Sequence, residues 1–138
     1  GKSGLEIVDV NNPVKPRHVN MFNPGEVTGI QIKDSLAFVV VDRHTLLIMD
    51  ISDPKSIKEV KRVDMGYRIR DIHLKGDTLY VTGDKEMAIL DIKDPLNPVI
   101  IARYDVPEGI LSIFAGDDGN IYLATGSQGL KVLVADGI

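Results

Sequence analysis

At 138 residues, with 43% hydrophobic and 26% charged side chains, the chain has the composition of one folded domain, not of a disordered segment. Its formal net charge is −4 and its sixteen lysines and arginines are scattered, so it lacks the clustered basic face that nucleic acid requires. It has no cysteine, which excludes disulfides and thiolate metal sites, and no apolar run near the ~20 residues of a membrane helix; neither nucleic-acid binding nor membrane insertion is expected.

Gly1-Lys2-Ser3-Gly4 is no signal peptide. It reads as the middle of a structural unit, so the strands that would precede it are expected to be cut away or borrowed from elsewhere. The first strand signal is Leu5-Glu6-Ile7-Val8-Asp9-Val10, closed by Asn11-Asn12-Pro13. Next come Gln31-Ile32-Lys33, the turn Asp34-Ser35 and the near-continuous apolar run Leu36–Val41, a pattern that predicts burial on both faces of a sheet. Leu46–Pro54 then repeats the first signal. Lys58-Glu59-Val60-Lys61-Arg62 reads as a solvated strand face, because an acid interrupts its basic run.

In the middle of the chain, strands are predicted near Ile69–Lys75, Thr78–Thr82, Met87–Ile92 and Pro98–Tyr104, with Lys75-Gly76-Asp77 as a tight hairpin turn. Phe114–Leu123 supplies another hairpin, with one residue inserted in its turn. A degraded copy of the first strand, Leu130-Lys131-Val132-Leu133-Val134, comes last; Val134 replaces the expected Asp and no Pro follows before Ile138, as at a natural terminus.

These segments form a tandem repeat. Asp9, Asp50 and Asp91 recur every 41 residues, each opening Asp-x-x-x-Pro, while Phe38, Tyr80 and Tyr122 hold one position in three copies. No segment sustains the spacing of an amphipathic helix. Four short strands per unit, repeated in tandem, predict an all-β fold of about three β-propeller blades, a partial propeller or one half of an oligomeric ring. The units span approximately 4–44, 45–86 and 87–129, with a terminal strand at 130–138, in a single repeat domain over 1–138.

The segment Gly4–Pro13, returning at Leu46–Pro54 and Met87–Pro95, resembles the LVIVD repeat, named for a hydrophobic strand ending in Asp. The resemblance covers essentially the whole chain. It implies a β-propeller fold and an extracytoplasmic setting, at the cell surface or secreted, and it implies no common catalytic activity.

The residues themselves offer little chemistry. Asp9, Asp50 and Asp91 lie in different blades, and turn chemistry before Pro accounts for them without a metal. Asp117-Asp118-Gly119-Asn120 lacks the alternating acids and closing Glu of a calcium loop and fits a hairpin. His18, His44 and His73 share no repeat position and show no zinc spacing; His73, beside Arg70 and Asp71, belongs to a polar group on an innermost strand. Thr125-Gly126-Ser127-Gln128-Gly129 only resembles a nucleophile elbow and aligns with an interblade-type turn. No glycine pattern suits a dinucleotide.

Catalytic, cofactor and metal residues are therefore expected to be absent. Binding is expected through two loop sets at one rim: 23–26, 65–68 and 106–108, with 42–45, 84–86 and 125–129. Arg43, His44, Tyr67, Arg68 and Lys85 are the candidate ligand-binding residues, because Tyr and Arg supply binding energy disproportionately. The expected partner is a protein or a surface glycan. Self-association that closes the propeller is a further expectation, given the strand edges an open set of blades leaves. Two rival readings stay open: part of an enzyme whose catalytic residues lie in other blades, and a purely structural assembly unit.

Overall fold

The computed structural model describes residues 4–134. Readings placed on residues 1–3 and 135–138 lie outside the described residues. The chain divides into two compact units, Gly1–Gly66 and Tyr67–Ile138.

In the first unit, β1 (Leu5–Asp9) pairs antiparallel with β2 (Arg17–Phe22). A four-stranded meander follows, made of β3 (Val27–Lys33), β4 (Leu36–Val41), β5 (Thr45–Asp50) and β6 (Lys58–Asp64), paired in that order. The apolar run of β4 is buried from Ala37 to Val41, and Leu46–Met49 of β5 are buried beside it. Both faces of these strands are covered, which is why their sequences do not alternate. Val39, Val41, Leu47 and Met49 form the core, and Leu5 and Phe22 from the two-stranded sheet pack against it. On β6, Lys58, Glu59, Lys61 and Arg62 are exposed, and Arg62 pairs with Glu59 at 2.9 Å; the mixed-charge run is a solvated face.

In the second unit, β7 (Asp71–Lys75), β8 (Thr78–Thr82), β9 (Glu86–Asp91) and β10 (Val99–Asp105) form the next antiparallel meander. The strands predicted there match within two residues at every end. A three-stranded sheet completes the unit: β11 (Ser112–Ala115), β12 (Ile121–Ala124) and β13 (Leu130–Leu133). Met87, Ile89, Val106, Ile121 and Leu123 form its core, with Ile113 and Leu133 packed alongside.

Thirteen strands, grouped two, four, four and three, thus make an all-β fold among the described residues. The sheets are offset in phase from the units drawn before each LVIVD-type strand. Residues 44/45 separate β4 from β5, which pair in one sheet, so the sequence motif begins inside a blade and not at its edge. One reading needs correction. Thr125–Gly129 does not join two blades: a short 3₁₀ turn at Gly126–Gln128 links β12 to β13 inside one sheet, closed by Thr125 N–H to the Gly129 carbonyl at 2.8 Å.

Candidate ligand-binding loops

The repeating aspartates are turn residues. Asp9 Oδ1 accepts the Asn11 N–H at 2.9 Å, Asp50 Oδ1 that of Ser52 at 2.8 Å, and Asp91 Oδ1 that of Lys93 at 2.9 Å. Backbone donation by Asn11 holds Asp9 below the usual carboxylate range, and the Ser52 hydroxyl and N–H do the same for Asp50. A second turn follows three residues later. Asn12, Asp53 and Asp94 cap the N–H of Val14, Lys55 and Leu96 at 3.2, 3.0 and 3.1 Å. The motif is therefore two linked Asx turns around a proline, which fixes the chain between β1 and β2, between β5 and β6 and between β9 and β10.

The Asp117–Asn120 segment is a hairpin turn. Asp118 accepts the Asn120 N–H at 3.0 Å and the Tyr122 hydroxyl at 2.6 Å; the hydroxyl's donation lowers the Asp118 pKa and raises that of Tyr122. Asp117 pairs with the Lys75 ammonium. No group of three or more potential ligands among His, Asp and Glu gathers among the described residues.

In the first unit, the 42–44 loop lies against residues 23–26. Asp42 N–H donates to the Glu26 carbonyl at 2.8 Å, and Asp42 Oδ1 accepts the Glu26 N–H at 2.9 Å. Asp42 and Arg43 both take left-handed backbone conformations, with φ of 51° and 69°. For a long side chain such as Arg this is costly. Arg43 Nε pairs with Glu26 Oε1 at 3.1 Å while the guanidinium stays half-exposed. His44 is exposed, and its Nδ1 lies 3.1 Å from the Asp42 carbonyl. A carbonyl oxygen only accepts, so this contact places the proton on Nδ1 and leaves Nε2 bare in the neutral ring.

In the second unit, residues 67–70, 83–86, 106–111 and 125–129 gather at the loop end of the two sheets. Val106 N–H reaches the Lys85 carbonyl at 2.7 Å, Ile110 N–H the Asp84 carbonyl at 2.8 Å, and Leu111 N–H the Ala124 carbonyl at 2.9 Å. Tyr67 is half-buried, its hydroxyl donating to the Val81 carbonyl at 2.7 Å, and burial pushes its pKa up to about 12. It supports the loops from inside. Arg68 and Lys85 are exposed and form no ion pair among the described residues. His73 is half-buried and tilts against Tyr80 at 6.5 Å between ring centroids, a packing role.

The structure brings Arg43 and His44 together in one loop, and places Tyr67, Arg68 and Lys85 at one end of another sheet. It adds a feature not singled out in the sequence: a cleft of about 220 Å³ between β7 and β11, lined by the polar Arg70, Asp71, Thr82 and Ser112 and the apolar Ile110, Leu111 and Ile113. Leu111 is 76% exposed although it adjoins a strand, a signal invisible without the neighbouring loops.

Tandem four-stranded antiparallel meanders define the chain as a repeat protein of the β-propeller type. The LVIVD repeat model matches residues 24–65 and 68–106, more than half of the chain, and the chain belongs to that family. No curated protein matches the sequence. Among solved structures it is similar to a functionally unknown protein from Desulfotomaculum acetoxidans, with a TM-score of 0.63 and 15% identity, over 86% of this chain and 45% of that one. It is also similar to a chain in an S. cerevisiae assembly of a Dbp5 variant bound to Nup159, a Gle1 variant, IP6 and ADP, with a TM-score of 0.60 and 12% identity, over 88% of this chain and 34% of the other. The chain spans less than half the length of either structure, and at these identities the likeness is one of fold.

Proposed function

We propose that the chain is a non-enzymatic binding module that presents loop-borne side chains to a protein partner, in an extracytoplasmic setting. The setting rests on the family resemblance alone. The observation that carries the binding reading is Arg43. Gly126 and Gly129 serve positive φ in the last sheet's loop, whereas the corresponding loop at residues 42–44 spends Asp and Arg on left-handed positions that glycine fills at little cost. Strain retained at a loop tip points to a side chain kept for what it touches. Arg68 and Lys85, exposed and without ion pairs among the described residues, extend the same reading to the second unit.

The test is to probe peptide and glycan arrays with the labelled chain and with an Arg43→Ala, Arg68→Ala, Lys85→Ala variant. Discrete peptide partners that the triple variant loses would support the reading. Partners unchanged by the triple substitution, or found only among glycans, would reject it.

A further inference from the structure

We propose that the open edge of β1 receives an extended strand from a partner protein, with an aromatic side chain seated opposite Ile7. β1 pairs with β2 on one side and has no strand partner on the other among the described residues. A cleft of about 250 Å³ borders it, lined by Leu5, Glu6 and Ile7 together with Ile30, Ile32 and Ala37 of the next sheet. Side chains alternate along a strand, so a wall made of three consecutive residues includes the backbone edge itself.

The repeat shows what fills this seat elsewhere. Ile7, Ile48 and Ile89 stand at intervals of 41 residues, and Phe38 lies opposite Ile48 as Tyr80 lies opposite Ile89. In the second unit, Tyr80, Ile89 and Ile121 line the equivalent cleft. Ile7 and Ala37 match Ile89 and Ile121 in repeat position, but no aromatic ring among the described residues joins them. The backbone donors agree. Ile51 and Ile92 donate their N–H to the carbonyls of Ser35 and Asp77 at 2.8 and 2.9 Å. Val10, 41 residues before Ile51, has no acceptor for its N–H among the described residues. Val8 and Glu6, every second residue back from Val10, turn their backbone groups to the same edge. β5 carries a bulge at the same place as β1 and keeps an unbroken register to β4, so the bulge does not spoil the edge.

Edge and cleft together define the occupant. It is an extended segment with an aromatic residue opposite Ile7 and apolar or β-branched neighbours, the pattern of Leu36–Val41 and Thr78–Thr82. Main-chain bonds to the edge supply affinity, and the ring in the cleft supplies selectivity. The charges beside the edge are engaged: Glu6 Oε1 lies 3.1 Å from His18 Nδ1, and Asp9 pairs with Arg17 at 3.0 Å, so the strand needs no charge at its centre. A small apolar ligand would fill the cleft and leave the backbone groups of β1 unpaired, and a helix has no free groups to pair with them. A second copy is a poor donor. Its aromatic-bearing strands β4, β8 and β12 are each already paired on both sides.

The experiment is hydrogen-exchange NMR on the whole 138-residue chain with a synthetic peptide of the Asp77–Gly83 sequence, acetylated and amidated, standing in for the partner strand. The amides of Glu6, Val8 and Val10 should exchange about tenfold or more slowly once peptide is bound. Replacing the peptide's tyrosine by alanine should weaken binding about tenfold or more, because the ring no longer fills the cleft. Proline in place of the peptide's valine should do the same, since Val81 lies opposite Ala88, the repeat equivalent of Glu6, and proline removes the N–H that would bond there. Ile32→Lys, at a position 57% exposed, should weaken binding without moving the melting midpoint. The peptide variants keep the test open should that variant unfold. Equal protection by a scrambled peptide, protection at β13 in place of β1, indifference to the tyrosine or the proline, or no protection at millimolar peptide each overturns the proposal. Protection of the same amides that grows with chain concentration and needs no peptide would give the edge to a second copy and overturn the partner assignment.

Discussion

The Tyr67 hydroxyl donates to the Val81 carbonyl at 2.7 Å, tying the segment that enters β7 to the end of β8. Burial raises the phenol's pKa from 10 to about 12. The sign follows from linkage: a folded pKa above the unfolded one contributes stability that is complete below pH 10 and is lost as pH rises toward 12. Wild-type chain should therefore lose stability between pH 10 and 12, and Tyr67→Phe should flatten that limb, as denaturant melts across the range would show. At neutral pH the same variant should lose about 1 kcal/mol with its hydrogen bond. An unchanged alkaline limb in Tyr67→Phe would place the effect on another group.

Asp91 tests the turn account of the repeat. Its Oδ1 accepts the Lys93 N–H at 2.9 Å, and Asp94 then caps Leu96 at 3.1 Å. Asp91→Ala should cost about 1 kcal/mol, while Asp91→Asn, which keeps an acceptor oxygen, should cost less. Chemical denaturation of both variants decides it. A metal role would reverse the prediction: wild-type stability would then respond to chelator.

The backbone plan was legible because its signals are local. Val- and Ile-rich runs, Asp-x-x-x-Pro turns and a period of 41 residues place most of the thirteen strands with nothing from tertiary structure, β2 (RHVNMF) carrying no such run, and Leu36–Val41 declares its two-faced burial by lacking alternation. The second Asx turn was less visible, since Asn12 shares its role with Asp53 and Asp94 only once the backbone shows what each caps. The loops were legible only as a list. Tyr67 and Arg68 are adjacent in sequence, yet the Tyr67 hydroxyl is turned inward to Val81 while Arg68 is exposed. The β7–β11 cleft is lined by Arg70 and Ser112, 42 positions apart like Tyr80 and Tyr122; the repeat makes the two equivalent, but the strand signals alone do not show that a cleft opens between them.

Core substitutions should follow burial in each unit. Leu47 and Leu123 are both fully buried, one in each core. Alanine at either should cost about 2–5 kcal/mol, because the lost transfer energy is joined by a cavity the surrounding strands cannot close. Hydrogen exchange would locate the damage. Leu47→Ala should loosen amides of β3–β6 first, and Leu123→Ala those of β11–β13. A uniform loss across the chain in both variants would mean that the two units unfold as one.

The outer edge of β13 has no strand partner among the described residues, and Leu130 and Val132 on that strand are 66% and 43% exposed. An unpaired edge beside apolar side chains favours pairing with another chain. Light scattering should therefore show concentration-dependent association, and Val132→Lys should suppress it with little change in the melting midpoint, since the site is already in solvent. A monomer at every concentration would show that β13 does not recruit a partner strand.

Arg43 allows backbone strain and side-chain function to be separated. With φ at 69°, both Arg and Ala are strained there and Gly is not. Arg43→Ala should lose the half-exposed pair to Glu26, worth about 0–1 kcal/mol, and keep the strain. Arg43→Gly should lose the same pair but relieve the strain, so it should exceed the alanine variant in stability by about 1–2 kcal/mol. Both should lose partner binding equally, because both lack the guanidinium. That combination, a more stable glycine variant that binds no better than alanine, is the signature of a residue kept for recognition. A glycine variant that gains stability and still binds the partners of the native chain would show that Arg43 recognises nothing.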